Sequence, residues 1–232
     1  MFISTASAQD ATSQVEKMRT EIEDRTGEAK VNSLNRLSDK VLQMKMPREA
    51  TKFAQEALDL ANQMNYTEGA ASAHDRLGFV YESKYDYENA MEQFVAAQKV
   101  RDASGDKKGI ATSKNNIGKA FLLQGDTDNG ELNLKRALEI RREVKDMEGL
   151  AETHKNLADL YLAKEIYGKA RENYEASLGI RTELKDFKGA AAIASHLGTI
   201  VSDLGDTEGA LIYYRMSVDM NSSINDLSLI HI

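Results

Sequence analysis

The chain has 232 residues, 41% hydrophobic and 29% charged, with a formal charge of -7, no cysteine, no tryptophan and a single proline. That acidic balance argues against nucleic-acid binding, which needs surplus Lys and Arg to displace counterions, and the missing cysteines remove disulfides and thiolate metal sites. No stretch approaches the ~20 apolar residues of a membrane span, so this segment is expected to make no membrane contact.

The first ten residues, "MFISTASAQD", place Ala6-Ser7-Ala8 before Gln9 in the A-x-A pattern of a secretory cleavage site. Only Met1–Thr5 precede it, without the basic region and the apolar stretch of about 7–15 residues that export needs. Residues 1–8 are read either as the remnant of a signal peptide, which would put the chain in the periplasm or outside the cytoplasm, or as an ordinary start, which would leave it cytoplasmic. Residues 9–28 follow as a predicted capping helix, with Val15, Met18 and Ile22 on one face.

From residue 29 the sequence repeats. Gly69, Gly109, Gly149 and Gly189 stand forty residues apart, in a chain with only 15 glycines. Leu37, Leu77, Ile117, Leu157 and Leu197 keep the same phase, as do Asp106, Asp146, Asp186 and Asp226. The units are 29–68, 69–108, 109–148, 149–188 and 189–226. Within the third, Ala111, Ile117 and Phe121 share one face of a first helix, "QGDTDNG" carries turn chemistry, and Leu134, Ala137 and Leu138 give a second helix its stripe. Each unit is therefore a predicted helical hairpin. A hairpin cannot bury its apolar face alone, so neighbours must stack.

Small residues stand in phase at Gly78, Gly118, Ala158 and Gly198, the first three followed three positions on by Tyr81, Phe121 and Tyr161. Then come small Ala90, Ala170 and Ala210, aromatic Phe94, Tyr174 and Tyr214, and small Ala97, Ala137, Ser177 and Ser217. This pattern resembles the tetratricopeptide repeat (TPR), which is usually 34 residues long. The forty-residue period resembles the subtype in bacterial sensor proteins and in G-protein-regulating spindle adaptors. The resemblance covers residues 29–226. It implies an all-α fold, a right-handed α-solenoid of about five TPR-like hairpins.

The resemblance also implies that first helices line a concave groove and that the residues just before the phased Leu point into it. Those chosen as the partner-binding set are Arg36, Arg76, Asn115, Asn116, Lys119, Lys155, Asn156 and His196, with Asp39, Asp159 and Thr199 one turn further on. Asn side chains can bond peptide amides in either direction, and the cations suit carboxylates. The competing reading has the asparagines bonding a neighbouring helix and setting repeat spacing. Arg101, Arg141 and Arg181 are likewise phased on the second helices. Their stems are expected to cover apolar surface, with heads on a neighbouring carboxylate or carbonyl, in preference to an anion ladder.

No phosphate loop and no HExxH motif occurs. His74 and His154, two units apart, would stand on the order of 20 Å from one another and are expected to be packing residues. No catalytic residue, metal or cofactor is assigned. The chain is expected to be a non-enzymatic module for a protein or peptide ligand, the sensory or interaction part of a larger bacterial signalling protein with an output domain beyond its C-terminus. The alternative is a stand-alone scaffold. At the end, phase predicts Gly at position 229, where Leu229 stands, after a turn expected at Asn225-Asp226. Residues 227–232 back-translate to a transposon-end adapter and are read as a non-native tail.

Overall fold

The computed structural model describes residues 5–230, and side chains over residues 11–222. The readings of residues 1–8 as a signal remnant and of residues 227–232 as a foreign tail concern side chains outside the described residues.

Every described element is a helix: α1 (Thr5–Glu23), α2 (Gly27–Gln43), α3 (Pro47–Gln63), α4 (Thr67–Ser83), α5 (Tyr87–Ser104), α6 (Lys107–Leu123), α7 (Thr127–Glu143), α8 (Met147–Ala163), α9 (Tyr167–Glu183), α10 (Phe187–Asp203) and α11 (Thr207–Ile230). The chain forms two compact units, Met1–Ser113 and Lys114–Ile232, divided within α6. In the first, α2 pairs with α3 and α4 with α5; in the second, α8 pairs with α9 and α10 with α11.

The side-chain pattern repeats every forty residues, and the backbone repeats every twenty. Lys45, Asn65, Tyr85, Gly105, Gly125, Lys145, Glu165, Lys185 and Gly205 all adopt left-handed φ, from 55° to 87°. At each, the next amide donates to the carbonyl five residues back, as in Asp86 to Tyr81 at 3.0 Å and Asp186 to Arg181 at 2.9 Å. This six-to-one bond closes the helix end and starts the next helix antiparallel. The turn expected at Asn225-Asp226 does not form: α11 continues to Ile230. Residues 221–230 hold no Gly or Pro to break the helix, and Asn225 stays helical where Lys145 and Lys185 turn.

The phased glycines answer to packing. A Cβ on Gly109 would overlap the Asp106 carboxylate and come within 2.6 Å of Arg101 Cδ, and Gly149 has the same relation to Asp146 and Arg141. A second set of small residues lets paired helices approach: a Cβ on Gly198 would lie 2.7 Å from the Tyr214 ring.

In the first unit, Val15 and Ile22 of α1 join Leu34, Leu37, Phe53 and Leu77 in one apolar cluster, with Met18 packed against it. In the second, Leu134, Leu160, Tyr174 and Leu197 are buried together. Each such side chain contributes on the order of 1.5–3 kcal/mol. On α11 the outward face is open. Val218 is 63% exposed, whereas its counterparts Leu138 and Leu178 are buried.

Candidate partner-binding surface

The first helices carry the expected site residues, and each unit holds its own group. In the first unit, Arg36 of α2 is exposed and its Nε donates to the Asn32 carbonyl at 3.3 Å. Arg76 of α4 is half-buried and pairs with Asp39 at 3.1 Å, its guanidinium 5.7 Å from the centre of the Phe79 ring. Burial raises the Asp39 pKa above the usual carboxylate value, Arg76 opposes the shift, and nearby Asp75 adds to it. The side chain before Arg36, Asn35, is buried and donates to the Gly69 carbonyl at 3.1 Å. That bond ties one repeat to the next.

In the second unit, Asn115 and Asn156 meet. Asn156 Nδ2 donates to Asn115 Oδ1 at 3.0 Å, and the two residues are 2% and 4% exposed. Asn116 is also buried, and it too has a partner. Asn115 and Asn156 thus bond each other across neighbouring repeats. Lys119 is half-buried and also engaged.

The accessible polar groups lie beside them. Lys155 Nζ sits 2.7 Å from the Asp159 carboxylate, each side chain about one-third exposed. The Tyr174 hydroxyl donates to the other Asp159 oxygen. Burial, followed by this bond, pushes the phenol pKa well above its ordinary value, so the hydroxyl keeps its proton. The exposed His196 ring stacks on Tyr174, with centroids 5.7 Å apart and planes 6° apart. One repeat on, Thr199 and Tyr214 place hydroxyls 3.3 Å apart, echoing the Asp159–Tyr174 pair.

Tyr174 stood out in the sequence only as a packing aromatic. Its polar role was readable from the interval of fifteen residues that separates Asp159 from Tyr174 and Thr199 from Tyr214. His74 and His154 each bond within their own hairpin, to Gln93 and to Asn173, both at 2.9 Å. Burial lowers the His154 pKa. The phased arginines also bind neighbours: Arg101 the Asp75 carboxylate, Arg141 the Gly149 carbonyl and Thr153, and Arg181 Glu152 and Asp186. Among the described residues no cluster of His, Asp or Glu could hold a metal ion, and no helix is long and apolar enough to cross a membrane.

Residues 149–223 match the tetratricopeptide repeat family. Over that segment the chain carries the tetratricopeptide repeat. No curated protein matches it by sequence. Among solved structures it is similar to BtubC (BKLC) from P. vanneervenii, at 20% identity over 94% of this chain and 90% of that one, with a TM-score of 0.68. It is similar to the Rap conjugation gene regulator of plasmid pLS20 at 16% identity, covering 82% of this chain and 52% of the regulator, with a TM-score of 0.70. A STAND signal-transduction ATPase with a tetratricopeptide repeat sensor, from Pyrococcus horikoshii, matches at 12% identity over 91% of this chain and 36% of its own, with a TM-score of 0.64. At these identities the likeness is one of fold, the all-α, TPR-like solenoid class expected from the repeats.

Proposed function

We propose that the chain is a protein- or peptide-binding module with no catalytic role of its own. The observation that carries this reading is the strip Lys155–Asp159–His196–Thr199 on α8 and α10. Its polar ends reach solvent from a fixed frame, because Tyr174 holds Asp159 and supports His196. Groups ordered before binding lose less entropy when a ligand arrives. An ammonium, a carboxylate, an imidazole and a hydroxyl in one strip can bond both the backbone and the charged side chains of an extended peptide.

The relatives lend this support. The pLS20 Rap regulator was solved in complex with the Phr* peptide, and another Rap protein with competence and sporulation factor. The Pyrococcus relative uses its repeats as a sensor within a larger signalling protein. We accordingly place the chain as the sensory or interaction part of a larger bacterial signalling protein, its ligand lying along the first helices and an output domain following residue 232. A stand-alone scaffold is the second reading, favoured by the match over 90% of BtubC.

Panning the full chain against a displayed random dodecapeptide library tests the proposal. The wild type enriches a peptide set, and the Lys155→Gln/His196→Ala variant, with unchanged helical circular dichroism, binds those peptides at least about tenfold more weakly, a loss of about 1.4 kcal/mol. Equal capture by the folded variant overturns the assignment of this strip.

A further inference from the structure

Helix α11 is anchored on one side and open on the other. Tyr213 and Met220 pack against the second unit's apolar cluster, and the Tyr213 hydroxyl donates to Glu175 at 2.8 Å. On the outer side Leu211, Ile212, Tyr214, Met216 and Val218 are all exposed, Ile212 by 64%. At about 100° per residue they span an arc of about 200°. Elsewhere among the described residues, the large exposed apolar side chains stand in turns or at helix ends, Leu132 excepted. An apolar patch of this kind, on a chain of net charge -7, marks an interaction surface.

Two kinds of position make up the arc. Tyr214 and Val218 continue the seam that a stacked hairpin covers: Tyr174 and Leu178 are buried where α10 packs on α9, and Leu134 and Leu138 where α8 packs on α7. Ile212 lies outside that seam. Its equivalents Lys52, Leu132 and Glu172 stay exposed although a hairpin packs behind each of their helices. Another hairpin of the same kind would therefore leave Ile212 wet. An anionic lipid surface fits no better, since α11 sets Arg215 alone against Glu208, Asp219 and Asp226, and such binding needs the opposite balance.

The charges point to the occupant. Arg215 and Asp219 stand one turn apart near the middle of the arc, both exposed, with Asp219 engaged within its own chain as well. In a parallel pair of α11 helices, Arg215 would face Arg215 and Asp219 would face Asp219. In an antiparallel pair with a two-fold axis at the level of Ser217, Arg215 of each copy comes level with Asp219 of the other. The two Val218 side chains then meet beside the axis. From this self-complementary face we infer that a second copy of the chain covers it, the two α11 helices packed antiparallel in an isologous dimer. The helix runs 24 residues, about 36 Å, and half its wall is on the order of 600 Å², so a pair can bury about 1,200 Å². That is the lower edge of the range for specific complexes and corresponds to a micromolar dimer. The ion pairs fix register more than they add affinity. This assignment stands independently of the peptide-binding reading.

Sedimentation velocity of the full chain, from about 1 to about 300 µM, tests it. The weight-average mass should rise with concentration from 25.7 kDa towards twice that value. The Ile212→Glu/Val218→Glu variant, changed only at exposed side chains, should keep its helical circular dichroism and weaken the dimer at least about tenfold. Arg215→Asp and Asp219→Arg should each weaken it too, because each sets like charges against one another across the axis. An equimolar mixture of these two variants should dimerise as tightly as the wild type, since the mixed pair has opposite charges at both contacts. A chain that stays monomeric over the whole range overturns the inference, whether or not α11 then binds phosphatidylcholine vesicles or another protein. A dimer that survives Ile212→Glu/Val218→Glu uses a different surface and overturns it as well. A mixture that dimerises no better than its components contradicts the antiparallel pairing.

Discussion

The Arg101 guanidinium donates to the Asp75 carboxylate over 2.5 Å, and the two side chains are only 9% and 5% exposed. The same arginine reaches forward to Ser113 at 2.7 Å, so one side chain on α5 clamps the first helices before and after it. Breaking a buried pair strands a charge, at about 3–5 kcal/mol, whereas replacing both partners with apolar groups costs far less. Asp75→Leu and Arg101→Met should each lower unfolding stability by about that much. The double variant should lose less than the sum. Denaturant titration of the four proteins measures the coupling, and additive losses would show that the pair does not act as a unit.

The phased glycines make a separable prediction. Gly149→Ala forces a Cβ to within 2.6 Å of Arg141 Nε and against the Asp146 carboxylate, and overpacking of this kind costs about 1–3 kcal/mol. Gly179, inside α9, has nothing within 4 Å of an added Cβ. Gly179→Ala should stabilise the chain by about 0.5–1 kcal/mol through helix propensity alone. Opposite shifts in melting temperature are expected from one chemical change, and shifts of the same sign would remove the packing explanation for the forty-residue glycine phase.

Glu131 on α7 gives the chain an acid-sensitive bond. Lys135 lies 2.7 Å away, Tyr161 donates at 2.9 Å, and Lys164 stands at 3.1 Å. The Lys135 bond, then those from Tyr161 and Lys164, outweigh burial and pull the carboxyl from 4.5 down to about 2. A carboxylate with a depressed folded pKa stabilises fully above its unfolded value, and that contribution is lost as pH falls through the folded one. The loss should therefore run from about pH 4.5 to about pH 2. Glu131→Gln should flatten this limb of the stability profile and leave the neutral-pH side of the curve parallel. An unchanged acid limb would contradict it.

Much of this arrangement was legible in the sequence, because the stacking of like hairpins forces equivalent residues into equivalent environments. Leu37, Leu77, Ile117, Leu157 and Leu197 are all buried, as their common phase required. The twenty-residue turn was less visible. It uses Gly105, Gly125 and Gly205, but equally Lys45, Tyr85, Lys145, Glu165 and Lys185, where the paired helices impose left-handed φ on residues with no preference for it. The site was half legible. Phase located Asn115 and Asn156 correctly on the first helices, yet whether their amides meet a ligand or each other depends on a contact between residues forty-one apart.

Lys145→Gly follows from the same turn. Its φ of 55° disfavours any residue with a Cβ, and glycine accepts it. The substitution should raise stability by about 1 kcal/mol, the cost of holding an L-residue in that region. Lys145→Ala should not. Thermal unfolding of the two variants separates backbone relief from loss of the lysine charge, and equal shifts would contradict the prediction.

The central claim is that the first helices present a ligand-binding strip. Hydrogen exchange on the full chain, with and without a saturating peptide from the display selection, tests it most directly. The account predicts added protection concentrated in α8 and α10, around Lys155, Asp159 and His196, with α9 unchanged. Protection confined to the second helices α9 and α11 would contradict it.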